Sequence, residues 1–106
     1  MKPEKLDKLD DIVKRLIDAY EPQKVILFGS RARGDCVESS DIDLIVITET
    51  DKPFIKRLRD SAYIIPDAGV DILIYTPDEI RDFLEKGSTF VENVLREGKV
   101  LYEKGS

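Results

Sequence analysis

The stretch from Lys24 to Ile47 constrains this chain more than any other. It holds two apolar runs, Val25 to Phe28 and Ile42 to Ile47, joined by a polar loop that opens at Gly29-Ser30. The first run is too short for a helix face and has no polar alternation, so it predicts a strand buried on both faces. The second run, extended to Thr48, predicts another strand and is led by Asp41 and Asp43. Side chains alternate along a strand, so these two acids point the same way, ~7 Å apart. Two such strands bring a glycine-containing turn close to a pair of carboxylates.

The rest of the chain supplies layers for these strands. Leu6, Leu9, Ile12, Val13, Leu16, Ile17 and Tyr20 recur at helical spacing, which predicts an amphipathic helix from about Pro3 to Tyr20. Proline suits its first turn, and Pro22 ends it by disfavouring helical backbone at the residue before. A short helix is expected from Phe54 to about Ala62, followed by an irregular segment from Tyr63 to Ala68 around Pro66. Val70 to Tyr75 reads as a third strand. Thr76-Pro77-Asp78-Glu79 is a helix start with a cap, a first-turn proline and a capping box. That helix stops near Gly87. Ser88 or Thr89 caps another, with Phe90, Val91, Val94 and Leu95 on one side, and Gly98 is expected to end it in the C′ position. Lys99 to Tyr102 reads as a short edge strand. The order predicts an α/β (α+β) fold, a small mixed sheet of three to four strands with helices packed on it, in a single domain over residues 1–106.

Composition narrows the chemistry. The chain has no histidine, which excludes imidazole-based triads and imidazole zinc sites. Acid–base and metal chemistry must then use carboxylates. The single cysteine, Cys36, lacks a histidine partner and reads as incidental; a lone cysteine fits a reducing cytoplasm. No apolar run approaches a membrane span, and the first residues show no export signal. A net charge of −5 argues against a general nucleic-acid binder. The basic group Lys52, Lys56, Arg57 and Arg59 reads as a solvated helix face.

Asp41, Asp43 and Asp71 each stand at the start of a predicted strand. If the second and third strands pair with their starts level, Asp71 projects beside the other two, with Ile45, Ile47, Leu73 and Tyr75 on the same face. Oxygen-only ligands favour magnesium or calcium over zinc, and three converging acids suit a two-metal phosphoryl-transfer site. Gly29 permits close backbone approach, and Ser30 offers a hydroxyl and an N–H to phosphate. Arg31 and Arg33 supply charge suited to phosphate geometry, and Gly34 lets the loop turn back. Each feature alone has an ordinary reading as a turn, a cap or surface charge; their arrangement favours a site.

Gly29-Ser30, ten residues, then Asp41-Ile42-Asp43 resembles the signature of the DNA polymerase β-type nucleotidyltransferase superfamily. The wording Leu27 to Gly34 and Ser40 to Leu44 is similar to the minimal nucleotidyltransferases, as is the ending Phe90 to Tyr102. The resemblance implies the nucleotidyltransferase fold, ATP as substrate, and two Mg2+ ions ligated by Asp41 and Asp43. It implies that Asp71 completes the metal site and helps deprotonate the acceptor hydroxyl, and that Gly29 and Ser30 hold the triphosphate. It further implies a HEPN-type helical toxin as partner, the chain acting as antitoxin and transferring AMP to a tyrosine of that toxin.

Several alternatives stand beside this. An antitoxin of the same fold could mask its toxin without catalysis. Phosphatases of the haloacid dehalogenase type place their acid pair after the strand, whereas here it precedes the strand. Sugar-nucleotide transferases with Asp-x-Asp need a far larger domain, and the acidic balance disfavours nucleic-acid elongation. Small-molecule members of the superfamily carry a second domain for the acceptor. The expectation here is an acceptor on a partner chain or on a second copy in a homo-oligomer.

Overall fold

The computed structural model describes residues 4–29, 42–66 and 69–105. In chain order these form α1 (Glu4–Tyr20), β1 (Lys24–Phe28), β2 (Ile42–Ile47), α2 (Phe54–Ile64), β3 (Val70–Tyr75), α3 (Pro77–Glu85), α4 (Thr89–Glu97) and β4 (Lys99–Glu103). The strands make one mixed sheet in the order β3-β2-β1-β4. β1 runs antiparallel to both β2 and β4, and β2 runs parallel to β3 through the crossover helix α2. The expected architecture is therefore present, and the edge strand foreseen after Gly98 is real.

Alternation along the strands divides the core into two layers. Val25, Leu27, Ile42, Leu44, Val46, Ile72 and Ile74 face one side and pack with Ile12 and Leu16 of α1 and with Ile65. Ile26, Ile45 and Ile47 face the other side and meet Ile80 of α3 and Val91 and Val94 of α4. Helices thus cover both faces, which explains why the central strands read as continuous apolar runs rather than as alternation. Ile12 and Leu16 are 1% and 0% exposed, each burial contributing about 1.5–3 kcal/mol before chain entropy. On the second layer Tyr75 stacks on Phe54 at 5.5 Å and meets Phe83 edge-on at 5.4 Å.

The helix starts follow their chemistry. The Thr76 hydroxyl accepts from the Glu79 N–H while the Glu79 carboxylate accepts from the Thr76 N–H, completing the capping box. Ser88, not Thr89, caps α4 by accepting from the Val91 N–H. Two expectations need correction. α2 continues through Tyr63 and Ile64, because Pro66 restricts only the residue immediately before it; Ile65 leaves helical backbone with φ −125° and ψ 83°. Gly98 does cap α4, but with φ −70° rather than a left-handed C′ conformation. Its glycine is required by contact: a Cβ there would lie 2.4 Å from the Val94 carbonyl oxygen and 2.6 Å from Ile26. Gly98 lets the end of α4 sit directly on β1. Among the described residues, no helix is long and apolar enough to cross a membrane.

Candidate active site

Register decides which polar groups meet. At the antiparallel β1–β2 pair, Phe28 lies opposite Asp43. At the parallel β2–β3 pair, Ile42 lies beside Val70 and Asp43 beside Asp71. Register partners in neighbouring strands share a face, so both carboxylates project to the side occupied by Ile45, Ile47, Leu73 and Tyr75. Those residues lie deeper along the same face, beneath α3 and α4. Asp43 is half-buried and Asp71 exposed, at the open end of this apolar layer. Neighbouring strands are ~4.8 Å apart, so two like charges are set side by side, an arrangement that favours uptake of a cation. Asp71 thus sits next to Asp43 as a direct lateral neighbour.

Gly29, the residue that follows β1, lies against this pair. Its φ of +84° is one that side chains with a Cβ rarely adopt. A Cβ built on it would lie 2.8 Å from the Asp43 Oδ2 oxygen. The backbone at the end of β1 therefore runs directly against the Asp43 carboxylate. Asp41, Ser30, Arg31 and Arg33, together with Gly34 and Cys36, lie outside the described residues. Among the described residues no group of three or more histidine, cysteine, aspartate or glutamate side chains gathers; Asp43 and Asp71 are the acids this part of the chain brings together. Their hard oxygen donors fit magnesium, which needs few protein carboxylates when substrate phosphates supply the remainder.

Two features went unread in the sequence. The first is Arg57, grouped above with a solvated basic face. Arg57 is instead 7% exposed. Its guanidinium donates to both Glu79 carboxylate oxygens, at 2.7 and 3.0 Å, and to the carbonyls of Lys52 and Ile74 at 2.7 and 3.1 Å. This fork ties α2 to the start of α3 and to the end of β3. Hydrogen bonding from Arg57, and then from the Thr76 N–H, holds the Glu79 carboxyl below the usual glutamate range against an opposing effect of burial. Lys52 pairs with Asp60 at 2.9 Å, while Lys56 and Arg59 are exposed. The signal was the arginine's place one turn from the start of a helix, facing the strand rather than water.

The second is a cavity of about 310 Å³ beside Gly29, between the end of β1 and α4. Phe28 and Phe90 meet there edge-on, 5.6 Å between centroids, and Asn93, Glu97 and Gly98 complete its wall. Of the apolar side of α4 read in the sequence, Val91 and Val94 are buried, while Phe90 remains 44% exposed.

Comparison with known proteins gives the family and the fold. The profile of the family described as polymerase beta, nucleotidyltransferase matches residues 10–106. A protein of Methanocaldococcus jannaschii named as a protein adenylyltransferase is 38% identical over 80 residues, covering 76% of this chain and 78% of that protein. Among solved structures, a protein of Sulfolobus solfataricus named as a nucleotidyltransferase superimposes with a TM-score of 0.69 at 22% identity, covering 93% of this chain and 80% of that one. A toxin–antitoxin with AMP-PNP gives a TM-score of 0.58 at 24% identity, over 91% of this chain and 73% of that one. A mutant MntA–HpeT toxin–antitoxin gives 0.52 at 20% identity, with the same coverage. At these identities the structural likenesses establish the fold.

Proposed function

The chain belongs to the polymerase β-type nucleotidyltransferase family, and we propose that it transfers AMP from ATP, with magnesium, to a hydroxyl on a partner protein. The observation that carries this reading is the pair Asp43 and Asp71 on adjacent strands, with the backbone of Gly29, just past the end of β1, against Asp43. Likeness to a protein adenylyltransferase supports AMP as the transferred group and a protein as the acceptor. Likeness of fold to toxin–antitoxin structures, one with AMP-PNP, supports a toxin as that partner. Of the partners this fold suggests, a helical toxin of the HEPN type, presenting a tyrosine, is the one we propose. The chain then acts as its antitoxin, in the cytoplasm, with residues 1–106 working as one domain.

In this mechanism Asp43 and Asp71, with Asp41, would hold the divalent ions. When bound there, magnesium would supply charge neutralisation at the phosphates and lower the pKa of the acceptor hydroxyl, which for tyrosine starts at ~10. Gly29 and Ser30 present main-chain N–H groups and a hydroxyl to the triphosphate, and the loop arginines Arg31 and Arg33 add positive charge. The acceptor oxygen attacks the α-phosphorus in line with the bond to the β-phosphate oxygen. A new oxygen–phosphorus bond forms, that bond breaks, and pyrophosphate leaves. Asp71, the exposed acid on the edge strand, would accept the hydroxyl proton. The apolar layer of Ile45, Leu73 and Tyr75 behind the carboxylates keeps their inner side dry, which strengthens their hold on a cation.

The test is label transfer to the co-expressed partner in the presence of magnesium. Label on the α-phosphate of ATP is expected to become covalently bound to the partner, and label on the γ-phosphate is not. Asp43→Asn and Asp71→Asn each reduce transfer by at least about 100-fold, the scale for removing a group that acts at the reacting phosphate. Undiminished transfer by either variant removes that residue from the mechanism. Toxin neutralisation by an Asp43→Asn, Asp71→Asn double variant equal to wild type would favour masking in place of catalysis.

A further inference from the structure

We infer that the cavity between β1 and α4 is the nucleobase subsite of this enzyme, and that its aromatic wall favours the larger stacking surface of a purine such as adenine. The inference rests on the proposed ATP site and assigns a part of it that neither the sequence signature nor the carboxylates specify. Position is the first argument. Gly29, whose backbone abuts Asp43, also lines this cavity. A nucleotide with its phosphates along the Gly29 turn therefore has this cavity within immediate reach of its nucleoside end.

Chemistry is the second argument. One wall is aromatic: Phe28 is half-buried and braces Phe90 edge-on. The part of Phe90 not packed on Phe28 is open to solvent, although the ring is large and apolar. Every nucleobase has a π-face that can stack on such a ring. The other wall is polar. Asn93 and Glu97 are four apart on α4 and line the same space. The Asn93 carbonyl oxygen already accepts from Arg96 at 2.6 Å, which leaves its amide N–H groups as donors. Glu97 offers a carboxylate, an acceptor only, with Arg96 3.7 Å away to moderate its charge. A donor beside an acceptor matches adenine, which presents a ring nitrogen acceptor next to an amino donor. Uracil can meet the same pair through its N3–H and O4, so discrimination rests on stacking, in which a two-ring purine covers more of Phe90 than a single pyrimidine ring does.

Gly98 fixes the shape of this subsite. Its missing Cβ lets the end of α4 rest on Ile26 and on the Leu27 carbonyl, which sets the distance from Glu97 and Asn93 to β1.

Calorimetry of the full chain with magnesium tests the assignment, comparing ATP, UTP and inorganic tripolyphosphate. Wild type is expected to bind ATP more tightly than UTP or tripolyphosphate. Phe90→Leu keeps an apolar side chain but loses the ring; it is expected to weaken ATP binding about tenfold, the lower-middle range for loss of one stacking partner, with tripolyphosphate binding unchanged. Glu97→Gln removes a carboxylate acceptor for the base and is expected to weaken ATP binding with tripolyphosphate binding unchanged; it serves independently should Phe90→Leu fold poorly. If wild type and both variants show the same ratio of ATP to tripolyphosphate affinity and the same ratio of ATP to UTP affinity, the subsite is overturned while the phosphate site stands. If wild type binds neither ATP nor tripolyphosphate, the parent reading falls and this assignment falls with it.

Discussion

Replacing Gly29 by alanine separates backbone strain from damage to the acidic site. Gly29 has φ +84°, so alanine there forces a left-handed conformation that costs about 1–2 kcal/mol. The added Cβ would also lie 2.8 Å from the Asp43 Oδ2 oxygen, and relief requires the carboxylate to retreat by roughly half an ångström to reach ordinary van der Waals contact. Catalytic groups tolerate about that much displacement and no more, and a misplacement of ~1 Å can cost about 100-fold in rate. Gly29→Ala is therefore expected to lower AMP transfer about 10- to 100-fold. The loss of stability is small against the ~5–15 kcal/mol of a typical domain, so the variant stays folded at 25 °C. Gly87 supplies the control, since it has φ +81° but an added Cβ there meets nothing within 4 Å. Gly87→Ala is expected to destabilise by a similar amount in urea and to leave transfer unchanged. The assay is initial rate of label transfer, alongside urea unfolding of both variants. Full activity in Gly29→Ala would refute the claim that this backbone positions the Asp43 carboxylate. So would equal loss of activity in both variants, because the effect would then follow stability alone.

Three further outcomes follow from the packing. Arg57→Ala leaves the carbonyls of Lys52 and Ile74 without this donor, while Glu79 keeps the Thr76 N–H and partial access to water; urea unfolding is expected to show a loss of about 2–3 kcal/mol. Arg57→Lys restores charge but not the fork, so less than half of that loss is recovered. Because the Glu79 carboxyl is held below its ordinary value in the folded state, its contribution is complete at pH above the ordinary glutamate range and is lost as pH falls below that range through the lowered folded value. Unfolding free energy measured from neutral to acid pH should therefore fall less steeply in Glu79→Gln than in wild type. Leu16, fully buried between α1 and the sheet, is expected to cost about 2–5 kcal/mol when cut to alanine, read as a lower urea midpoint with unchanged slope.

Much of the fold was legible because its signals are local. The apolar runs are uninterrupted where helices cover both faces, and the capping box at Thr76 names its own helix start. Long-range contact was harder to read. The sequence made Arg57 look like a surface cation and put Phe90 on one apolar helix side with Val91 and Val94, yet Arg57 is buried and paired with Glu79 and Phe90 stands open beside Gly29. Neither partner is within reach along the chain. Gly98 shows the same limit: a glycine after a helix predicts a left-handed cap, and only the approach of Ile26 reveals that space was the requirement.

The acid pair lies between these cases. Spacing alone puts two carboxylates at strand starts, but their meeting depends on register. A one-residue slip of β3 against β2 would move Asp71 to the opposite face, in exchange for burying Leu73 and Tyr75 where Ile72 and Ile74 now pack beside Leu44 and Val46. Ile72 and Ile74 are 8% and 0% exposed in the first layer, and Tyr75 is held in the second by Phe54 and Phe83. Those same contacts oppose the slip, so the hydrophobic pattern of β3 is also what sets Asp71 beside Asp43. The site is thus specified by the core: substitutions that weaken the division between the two layers should disperse the carboxylates before they unfold the chain.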